Sequence, residues 1–269
     1  MLRIASAVVL VALVITTIWV LPPWGALALA IIAAGLAGAE LAGISSALGA
    51  NVPAAFVSFG AATVVAAFAR DGQFVAAGAM GSLAAVLLVL VVAAGTVALA
   101  LGPPSPSTLT RAAVMVMGPL YIGLPLGVFA WLQAVGGPGP TTWLLAVIAV
   151  SDSAQYYTGR ALGRVKLAPA ISPAKTREGA MGGVVAAAIA GFLLGPLWLP
   201  AFSAGEAAGI AVLLAMFGMA GDLFESLLKR SAGLKDSSTL IPGHGGILDR
   251  LDSHLFAAPV FYVCLRLLS

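Results

Sequence analysis

The sequence contains little charge. Only 9% of its 269 residues are Asp, Glu, Lys or Arg, and 61% are hydrophobic, against about 25% and roughly 45–50% in a typical soluble domain. This balance excludes a soluble globular protein, and it also excludes a disordered chain, which needs low hydrophobicity. Just five of the 23 charged residues precede residue 152. We therefore expect the first half of the chain to be embedded in lipid.

Cysteine is almost absent, and so are several common site motifs. The single Cys264 lies in an apolar run and is interpreted as a packing residue, because one cysteine forms no intramolecular disulfide. The sequence has no GxxxxGK[ST] phosphate loop, no HExxH zinc motif and no GxGxxG after a predicted strand. The net charge of +3 does not indicate nucleic acid, since basic residues in a membrane protein mainly report its orientation.

Long apolar runs, separated by short breaks, dominate the chain instead. A helix that crosses a ~30 Å hydrocarbon layer needs about 20 apolar residues, and continuous runs favour helices over a β-barrel, whose strands alternate. We predict an all-α, polytopic integral membrane helix bundle with about nine transmembrane helices, with eight or ten as alternatives. The predicted spans are 4–21, 24–48, 53–69, 75–101, 112–134, 142–162, 180–200, 207–229 and 254–268.

Two longer polar segments, about 160–179 and 230–253, hold most of the basic residues. Two predicted helices separate these segments, so both face the same side. With nine spans and the N-terminus inside, eleven Lys and Arg residues lie inside, and only Arg70 and Arg266 lie outside. The positive-inside rule then predicts a multi-pass protein of the cell inner or plasma membrane whose polar segments face the cytoplasm.

The end of the predicted helix 207–229 is charged. Four polar residues fall on one stripe at helical spacing: Asp222, Glu225, Ser226 and Lys229. Ionisable groups at membrane depth are costly and usually mark a functional site. A structural Glu225–Lys229 pair is the alternative for those two residues.

The segment that follows is rich in charge and glycine. Residues 229–252 contain three carboxylates, four basic residues, one histidine and four glycines. Glycines let backbone N–H groups approach phosphate oxygens, basic side chains neutralise phosphate charge, and carboxylates hold Mg²⁺. This combination predicts a polyphosphate site rather than a solvated loop.

A third polar stretch begins near Ser151. Asp152 and Tyr156 share a helix face, and Ser172, Lys175 and Thr176 precede a glycine-rich helix start, a position suited to an anionic headgroup. Attraction to anionic lipid alone is the alternative.

Glu40 is an intramembrane carboxylate in the second predicted helix. Its small neighbours, Gly35, Gly38 and Gly43, suit close helix packing. We interpret Glu40 as a polar contact within the bundle, with a functional role as the alternative. Four tryptophans lie near predicted span ends, as lipid-interface anchors do: Trp19, Trp24, Trp143 and Trp198.

The motifs of the C-terminal half form one pattern. It consists of Ser226-Leu-Leu-Lys229-Arg230, Lys235-Asp236, Pro242-Gly-His244-Gly-Gly246 and Asp249-Arg250-Leu-Asp252, over 27 positions. This pattern resembles the signature of the phosphatidate cytidylyltransferases, also called CDP-diacylglycerol synthases. The resemblance extends back to about residue 150. Residues 153–155, Ala174 and Arg177 depart from the usual family pattern.

The resemblance implies an activity and a set of partners. The phosphate of phosphatidic acid attacks the α-phosphorus of CTP, which releases pyrophosphate and forms CDP-diacylglycerol in phospholipid biosynthesis. The expected cofactor is Mg²⁺, with a second cation left open. The expected partners are CTP, phosphatidic acid and the bilayer, without nucleic acid, and a homodimer is left open.

The resemblance also implies roles for individual residues. Metal coordination is expected from Asp222 and Asp249, with Asp236 and Asp252 as further candidates. Expected catalytic residues are Lys229, Arg230, Lys235, Asp236, His244, Arg250 and Asp252. Expected substrate-binding residues are Ser226, Gly243, Gly245, Gly246, Asp152, Ser172, Lys175 and Thr176.

These roles divide the chain into an N-terminal scaffold of transmembrane helices, 1–140, and a C-terminal catalytic region, 141–269, with the signature at 226–252. Because the signature does not identify the acceptor, CTP-dependent cytidylyl or phosphoryl transfer to another lipid remains an alternative. A secondary transporter also buries carboxylates, but it is expected to show discontinuous helices in paired halves.

Overall fold

A computed structural model of the chain describes residues 2–74 and 81–268. Over these ranges it contains nine helices and one two-stranded sheet. The helices are α1 (Leu2–Trp19), α2 (Pro23–Ala47), α3 (Ala54–Phe74), α4 (Ser82–Ala100), α5 (Thr108–Gly136), α6 (Pro138–Leu162), α7 (Arg177–Trp198), α8 (Ala204–Ser231) and α9 (Leu248–Leu268). The strands are β1 (Lys166–Ala168) and β2 (Ser172–Thr176). The helical fold class is as predicted. Residues 75–80, which begin the predicted span 75–101, lie outside the described residues.

Seven helices in the described ranges are long and apolar enough to cross a membrane. They are α2, α3, α4, α5, α7, α8 and α9. The apolar stretch of α1, Ser6–Trp19, is shorter, and the 25-residue α6 ends in a polar segment that begins at Ser151. These helices indicate a multi-pass membrane protein, as the composition predicts.

Several helices begin where the sequence supplies a start signal. Pro23 is the first residue of α2, where its fixed φ suits the helix and its missing N–H costs nothing. The side chain of Thr176 caps α7, since its Oγ1 accepts a hydrogen bond from Gly179 N at 3.1 Å. Strands β1 and β2 form an antiparallel hairpin in which Lys166 pairs with Thr176. The hairpin therefore leads directly into the first turn of α7.

The chain forms two compact units. Unit 1 comprises the N-terminal residues up to Val135 together with Ser231–Arg250, and unit 2 comprises Gly136–Arg230 together with the residues from Leu251 onward. The residues of the signature are thus divided between the units. The proposed division into a scaffold and a catalytic region concerns roles and stays a prediction.

Close helix packing in unit 1 depends on a glycine. A Cβ on Gly38 would lie 2.9 Å from the backbone of Ser58, so α2 and α3 approach each other where only glycine fits. The prediction of close packing is confirmed for Gly38, whereas a Cβ on Gly35 or Gly43 would meet nothing within 4 Å. A buried apolar cluster lies beside this contact and includes Val57 and Met115.

The core of unit 2 includes a tryptophan that was expected elsewhere. Trp143 is fully buried, and its ring stacks on Phe261 at a centroid distance of 5.2 Å. The interface-anchor prediction is therefore wrong for Trp143, because its position near a span end did not reveal the aromatic partner on α9. Trp19 and Trp24 are exposed, as anchors would be.

Candidate active site

An ion pair in unit 2 joins two residues from separate predicted motifs. The Nζ of Lys175, on β2, lies 2.6 Å from Oδ2 of Asp222, on α8. Ser226, one turn further along α8, donates a hydrogen bond to Asp222 Oδ1 at 3.4 Å. The hairpin therefore brings the residue expected at the lipid phosphate against a predicted metal ligand.

Two more carboxylates lie close to Asp222. Asp152 on α6 and Asp252 on α9 are near enough for the charges of all three side chains to repel one another. Asp152 accepts hydrogen bonds from Gln155 Nε2 at 3.1 Å and from Ser253 Oγ at 3.5 Å. We refer to Asp152, Asp222 and Asp252 as the carboxylate cluster. Each member lies on a different helix, so the cluster brings three acidic side chains of unit 2 together with Lys175.

Glu225 and Lys229 form a buried ion pair within α8. The Glu225 side chain is completely buried and Lys229 is 7% exposed. The structure therefore contains the Glu225–Lys229 pair predicted as the alternative to a functional role for these two residues. A role for Lys229 in stabilising phosphate charge stays a prediction.

The signature loop, residues 235–247, surrounds a polar cleft in unit 1 with a volume of about 430 Å³. Six of the lining residues are predicted site residues: Lys235, Asp236, Gly243, His244, Gly245 and Arg250. These six residues include two basic side chains, one histidine and one carboxylate. The excess of positive charge and the exposed glycine backbone suit an anionic phosphate ligand.

Glycine is required at two positions of this loop. Gly243 and Gly245 have φ angles of 76° and 79°, in the left-handed region that side chains other than glycine rarely adopt. Ile241 N donates to Gly245 O at 2.8 Å, and His244 N donates to Ile241 O at 2.9 Å. These bonds close the Pro-Gly-His-Gly core into a tight turn and hold the His244 ring at the cleft, with Nδ1 2.8 Å from Ser6 Oγ.

Asp249 anchors the signature loop to the start of α9. Its Oδ2 accepts three hydrogen bonds, from Ser237 N at 2.9 Å, Ser237 Oγ at 2.8 Å and Gly246 N at 2.8 Å. The side chain is 7% exposed. Asp249 therefore has a definite structural contact in addition to its predicted role as a metal ligand.

Glu40 contacts the same loop, and the sequence did not predict this contact. Its Oε2 accepts from Ser237 Oγ at 2.9 Å and from Leu248 N at 2.8 Å. Its Oε1 accepts from Ser238 Oγ at 2.7 Å and from Ile247 N at 3.0 Å. The only signal in the sequence was a carboxylate inside an apolar helix, which indicates a polar contact without identifying the partner.

The remaining predicted residues lie in both units. Ser172 shares β2 with Lys175, and the hydroxyl of Thr176 is occupied in capping α7. Arg230 is exposed at the end of α8. Gly246 is buried, and a Cβ there would collide with Ser237 Oγ and the Glu40 carboxylate. The roles assigned to these residues remain predictions.

The donor chemistry fits the predicted Mg²⁺, because carboxylate oxygens are the protein ligands that this ion prefers. The carboxylate cluster supplies such oxygens in unit 2, and Asp249 supplies them in unit 1. Within residues 2–74 and 81–268, no group of three His, Cys, Asp or Glu side chains already has the arrangement of a metal site. Metal coordination by Asp222 and Asp249 therefore stays a prediction.

Comparison with known proteins shows what the chain is similar to. A family model described as "Cytidylyltransferase family" matches residues 1–268. The chain is 38% identical over 167 residues to the phosphatidate cytidylyltransferase of Bacillus subtilis (strain 168), which covers 60% of this chain and 61% of that protein. It is 48% identical over 121 residues to the phosphatidate cytidylyltransferase of Brucella suis biovar 1, covering 45% and 44%. An uncharacterized protein of Escherichia coli (strain K12), YnbB, is 43% identical over 143 residues, covering 51% and 48%.

The chain spans about half the length of the curated relatives it matches. The resemblance found in the C-terminal motifs is confirmed by these matches.

Proposed function

The chain belongs to the cytidylyltransferase family, and from this premise we propose that it transfers a cytidylyl group from CTP to phosphatidic acid, forming CDP-diacylglycerol and pyrophosphate. The observation that carries the proposal is the cleft in unit 1, where Lys235, His244 and Arg250 surround a turn built on Gly243 and Gly245. A triphosphate needs positive side chains and a backbone that it can approach closely, and the cleft offers two basic side chains and the exposed Gly243.

The reaction makes modest demands on acid–base catalysis. The attacking phosphate oxygen of phosphatidic acid is already an anion, so a strong general base is unnecessary. The protein has to hold two anions in line and reduce their repulsion. Lys235 and Arg250 are proposed to stabilise the triphosphate charge and the departing pyrophosphate, assisted by Lys229 and Arg230.

Lys175 is proposed to bind the lipid phosphate, with Ser172 and Thr176 beside it. Its ion pair with Asp222 keeps the ammonium group in position before the lipid arrives. A lipid phosphate offers a second anionic partner to the same ammonium group, which is partly exposed. Ser226 is proposed to bind phosphate from α8, next to Asp222.

Mg²⁺ is proposed as the cofactor, held by Asp222 and Asp249, with Asp236 and Asp252 as further candidates and a second cation left open. When bound, the ion would neutralise charge on phosphate oxygens and polarise the α-phosphorus. The side chains of the protein are proposed to bind and orient both substrates.

The location of the two substrates accounts for a membrane-embedded enzyme. CTP is water-soluble and phosphatidic acid lies in the leaflet, so a polar site at helix ends can meet both. We propose that this site faces the cytoplasm, because the positive-inside rule predicts a cytoplasmic location for both basic segments.

The experiment that tests the proposal uses the full chain purified in detergent. It is incubated with CTP, Mg²⁺ and phosphatidic acid, and both pyrophosphate and the lipid product are measured by mass. Equal amounts of CDP-diacylglycerol and pyrophosphate, lost when Mg²⁺ or lipid is omitted, would support it. If product formed only with another lipid phosphate, phosphatidic acid would be overturned as the acceptor. If CDP were released without pyrophosphate, the protein would be a CTP-dependent kinase. Light scattering on the same preparation decides between a monomer and a homodimer.

A further inference from the structure

Glu40 is a buried acceptor for the signature loop. It lies on α2 with 8% of its surface exposed, and it is 197 residues away along the chain from Ser237, its first partner in that loop. Each carboxylate oxygen accepts one serine hydroxyl and one backbone N–H, at distances between 2.7 and 3.0 Å. All four donors belong to the loop or to the start of α9. Glu40 therefore binds this segment far more extensively than a single polar contact would.

The charge of Glu40 is compensated by these donors. Among the residues whose side chains are described, 6–71 and 81–268, no Lys or Arg forms an ion pair with Glu40. A buried carboxylate without strong hydrogen bonds is costly. The N–H groups of Ile247 and Leu248 lie at the start of α9, where backbone N–H groups lack partners within the helix and carry partial positive charge. Glu40 thus supplies a cap to α9 from another helix.

The same contacts connect Glu40 to Asp249. The hydroxyl of Ser237 lies 2.9 Å from Glu40 Oε2 and 2.8 Å from Asp249 Oδ2, so its single O–H proton is shared between the two carboxylates. Gly246 lies against both acid side chains, because its N donates to Asp249 Oδ2 at 2.8 Å and a Cβ at this position would collide with the Glu40 carboxylate. Glu40 and Asp249 together hold the loop at Ser237 and again at residues 246–248. The cleft-lining turn at residues 241–245 lies between these two points.

We propose that Glu40 is a positioning residue that fixes the signature loop in the shape that binds the phosphates of CTP. The inference rests on the proposed cytidylyl transfer for the identity of the ligand. Glu40 acts through the loop and its neighbours and is not assigned a contact with the substrate. Its position in the N-terminal helices means that the scaffold region contributes directly to the geometry of the cleft.

The test compares Glu40→Gln with a matched control in the full chain purified in detergent. Glutamine has the same size but only one acceptor oxygen, so in either orientation its amide N–H₂ group faces one serine hydroxyl and one backbone N–H that Glu40 accepts. The control is Asp71→Asn, because Asp71 caps α4 through Ser82 N at 2.8 Å and Leu83 N at 2.7 Å. Both variants therefore remove a carboxylate cap in unit 1, and only one of them touches the loop.

Two measurements are made on each variant. Hydrogen exchange measured by mass spectrometry reports the opening of peptides covering 237–249, and steady-state kinetics give kcat and KM for CTP and for phosphatidic acid separately. For Glu40→Gln we expect exchange in 237–249 to rise about tenfold or more and kcat/KM for CTP to fall at least about tenfold. Asp71→Asn should change neither quantity.

Ser238→Ala keeps the proposal testable if Glu40→Gln does not fold. It removes one of the four donors, the bond to Oε1, and should change both quantities in the same direction by a smaller factor. Unchanged exchange at 237–249 in a folded Glu40→Gln protein would overturn the positioning role, as would faster exchange with wild-type kinetics for CTP. If the wild-type protein forms no product, the proposed function fails, and the exchange comparison alone decides whether Glu40 positions the loop.

Discussion

At the residue scale, Asp249 combines an observed structural contact with a predicted role as a metal ligand, and one substitution can separate the two roles. In Asp249→Asn the amide oxygen can still accept the bonds from Ser237 and Gly246, whereas the negative charge is lost. We expect a folded, extractable protein whose turnover is at least ~100-fold lower, the range for loss of one group that stabilises transition-state charge. Product formation and the thermal unfolding temperature are the two measurements.

The control for Asp249 is Glu206→Gln. Glu206 is also a carboxylate in the first turn of a helix, and it accepts from Ser203 N at 2.8 Å, but it is not a predicted site residue. The Glu206→Gln variant should retain wild-type turnover. Near-normal activity in Asp249→Asn would contradict the metal-ligand role.

Lys175 is expected to act on the lipid side of the reaction. Lys175→Ala should raise KM for phosphatidic acid about tenfold or more, the scale of one lost hydrogen bond to a charged group, while KM for CTP changes little. Lys166→Ala is the matched control, because Lys166 is an exposed lysine on the other strand of the same hairpin. An effect confined to CTP would move Lys175 to the nucleotide side.

Individual residues also show where prediction from the sequence stops. Helical spacing relates residues three and four apart, so it placed Asp222 and Ser226 on one stripe correctly. It cannot relate Lys175 to Asp222, which lie 47 positions apart, because their contact depends on the path of the hairpin. Glu40 was underestimated for the same reason, since all its donors come from the far end of the chain.

At the element scale, the turn at residues 241–245 is the part of the signature loop that depends most on backbone conformation. Gly245 has a φ of 79°, and a Cβ there would lie 2.5 Å from Asp249 Oδ2. Gly245→Ala should therefore destabilise the loop by about 1–3 kcal/mol and lower kcat/KM for CTP. Gly209→Ala on α8 is the control, because a Cβ there meets nothing within 4 Å. Equal kinetics in the two variants would contradict a required left-handed turn.

Element boundaries were predictable where apolar runs end in proline, glycine or charge. The predicted spans 180–200 and 207–229 correspond to α7 and α8 within three residues at each end. The start of α9 was placed six residues too late, at 254, because Asp249 and Asp252 are typical of a loop. The helix can begin at Leu248 because two carboxylates accept the backbone N–H groups around its first residue. Asp249 accepts from Gly246 N, and Glu40 accepts from Ile247 N and Leu248 N. The β1–β2 hairpin was not predicted, since three- and five-residue strands are too short for a recognisable alternation.

At the scale of the whole molecule, composition alone predicted the class of protein. Low charge and repeated apolar runs have one physical explanation, burial in lipid, and the seven long apolar helices agree with it. Composition does not reveal how the signature is divided between units, because that division depends on which segments pack together. The signature loop belongs to unit 1, together with the other residues of Ser231–Arg250. Its contact with Glu40 on α2 explains how an N-terminal helix, which carries no signature residue, contributes to the candidate site.

The orientation of the chain in the membrane gives the last prediction. Only α7 separates the hairpin from residue 201, so an α7 that crosses the bilayer places Lys166 and Ala201 on opposite sides. Both residues are exposed, and the one native cysteine, Cys264, is buried and can be replaced as Cys264→Ser. In that background, a membrane-impermeant maleimide should label Ala201→Cys from outside intact cells, and should label Lys166→Cys only in inverted vesicles. Labelling of both positions from one side would show that α7 does not cross. The reverse pattern would place the carboxylate cluster and Lys175 away from cytoplasmic CTP, and it would contradict the proposed function together with the positive-inside assignment.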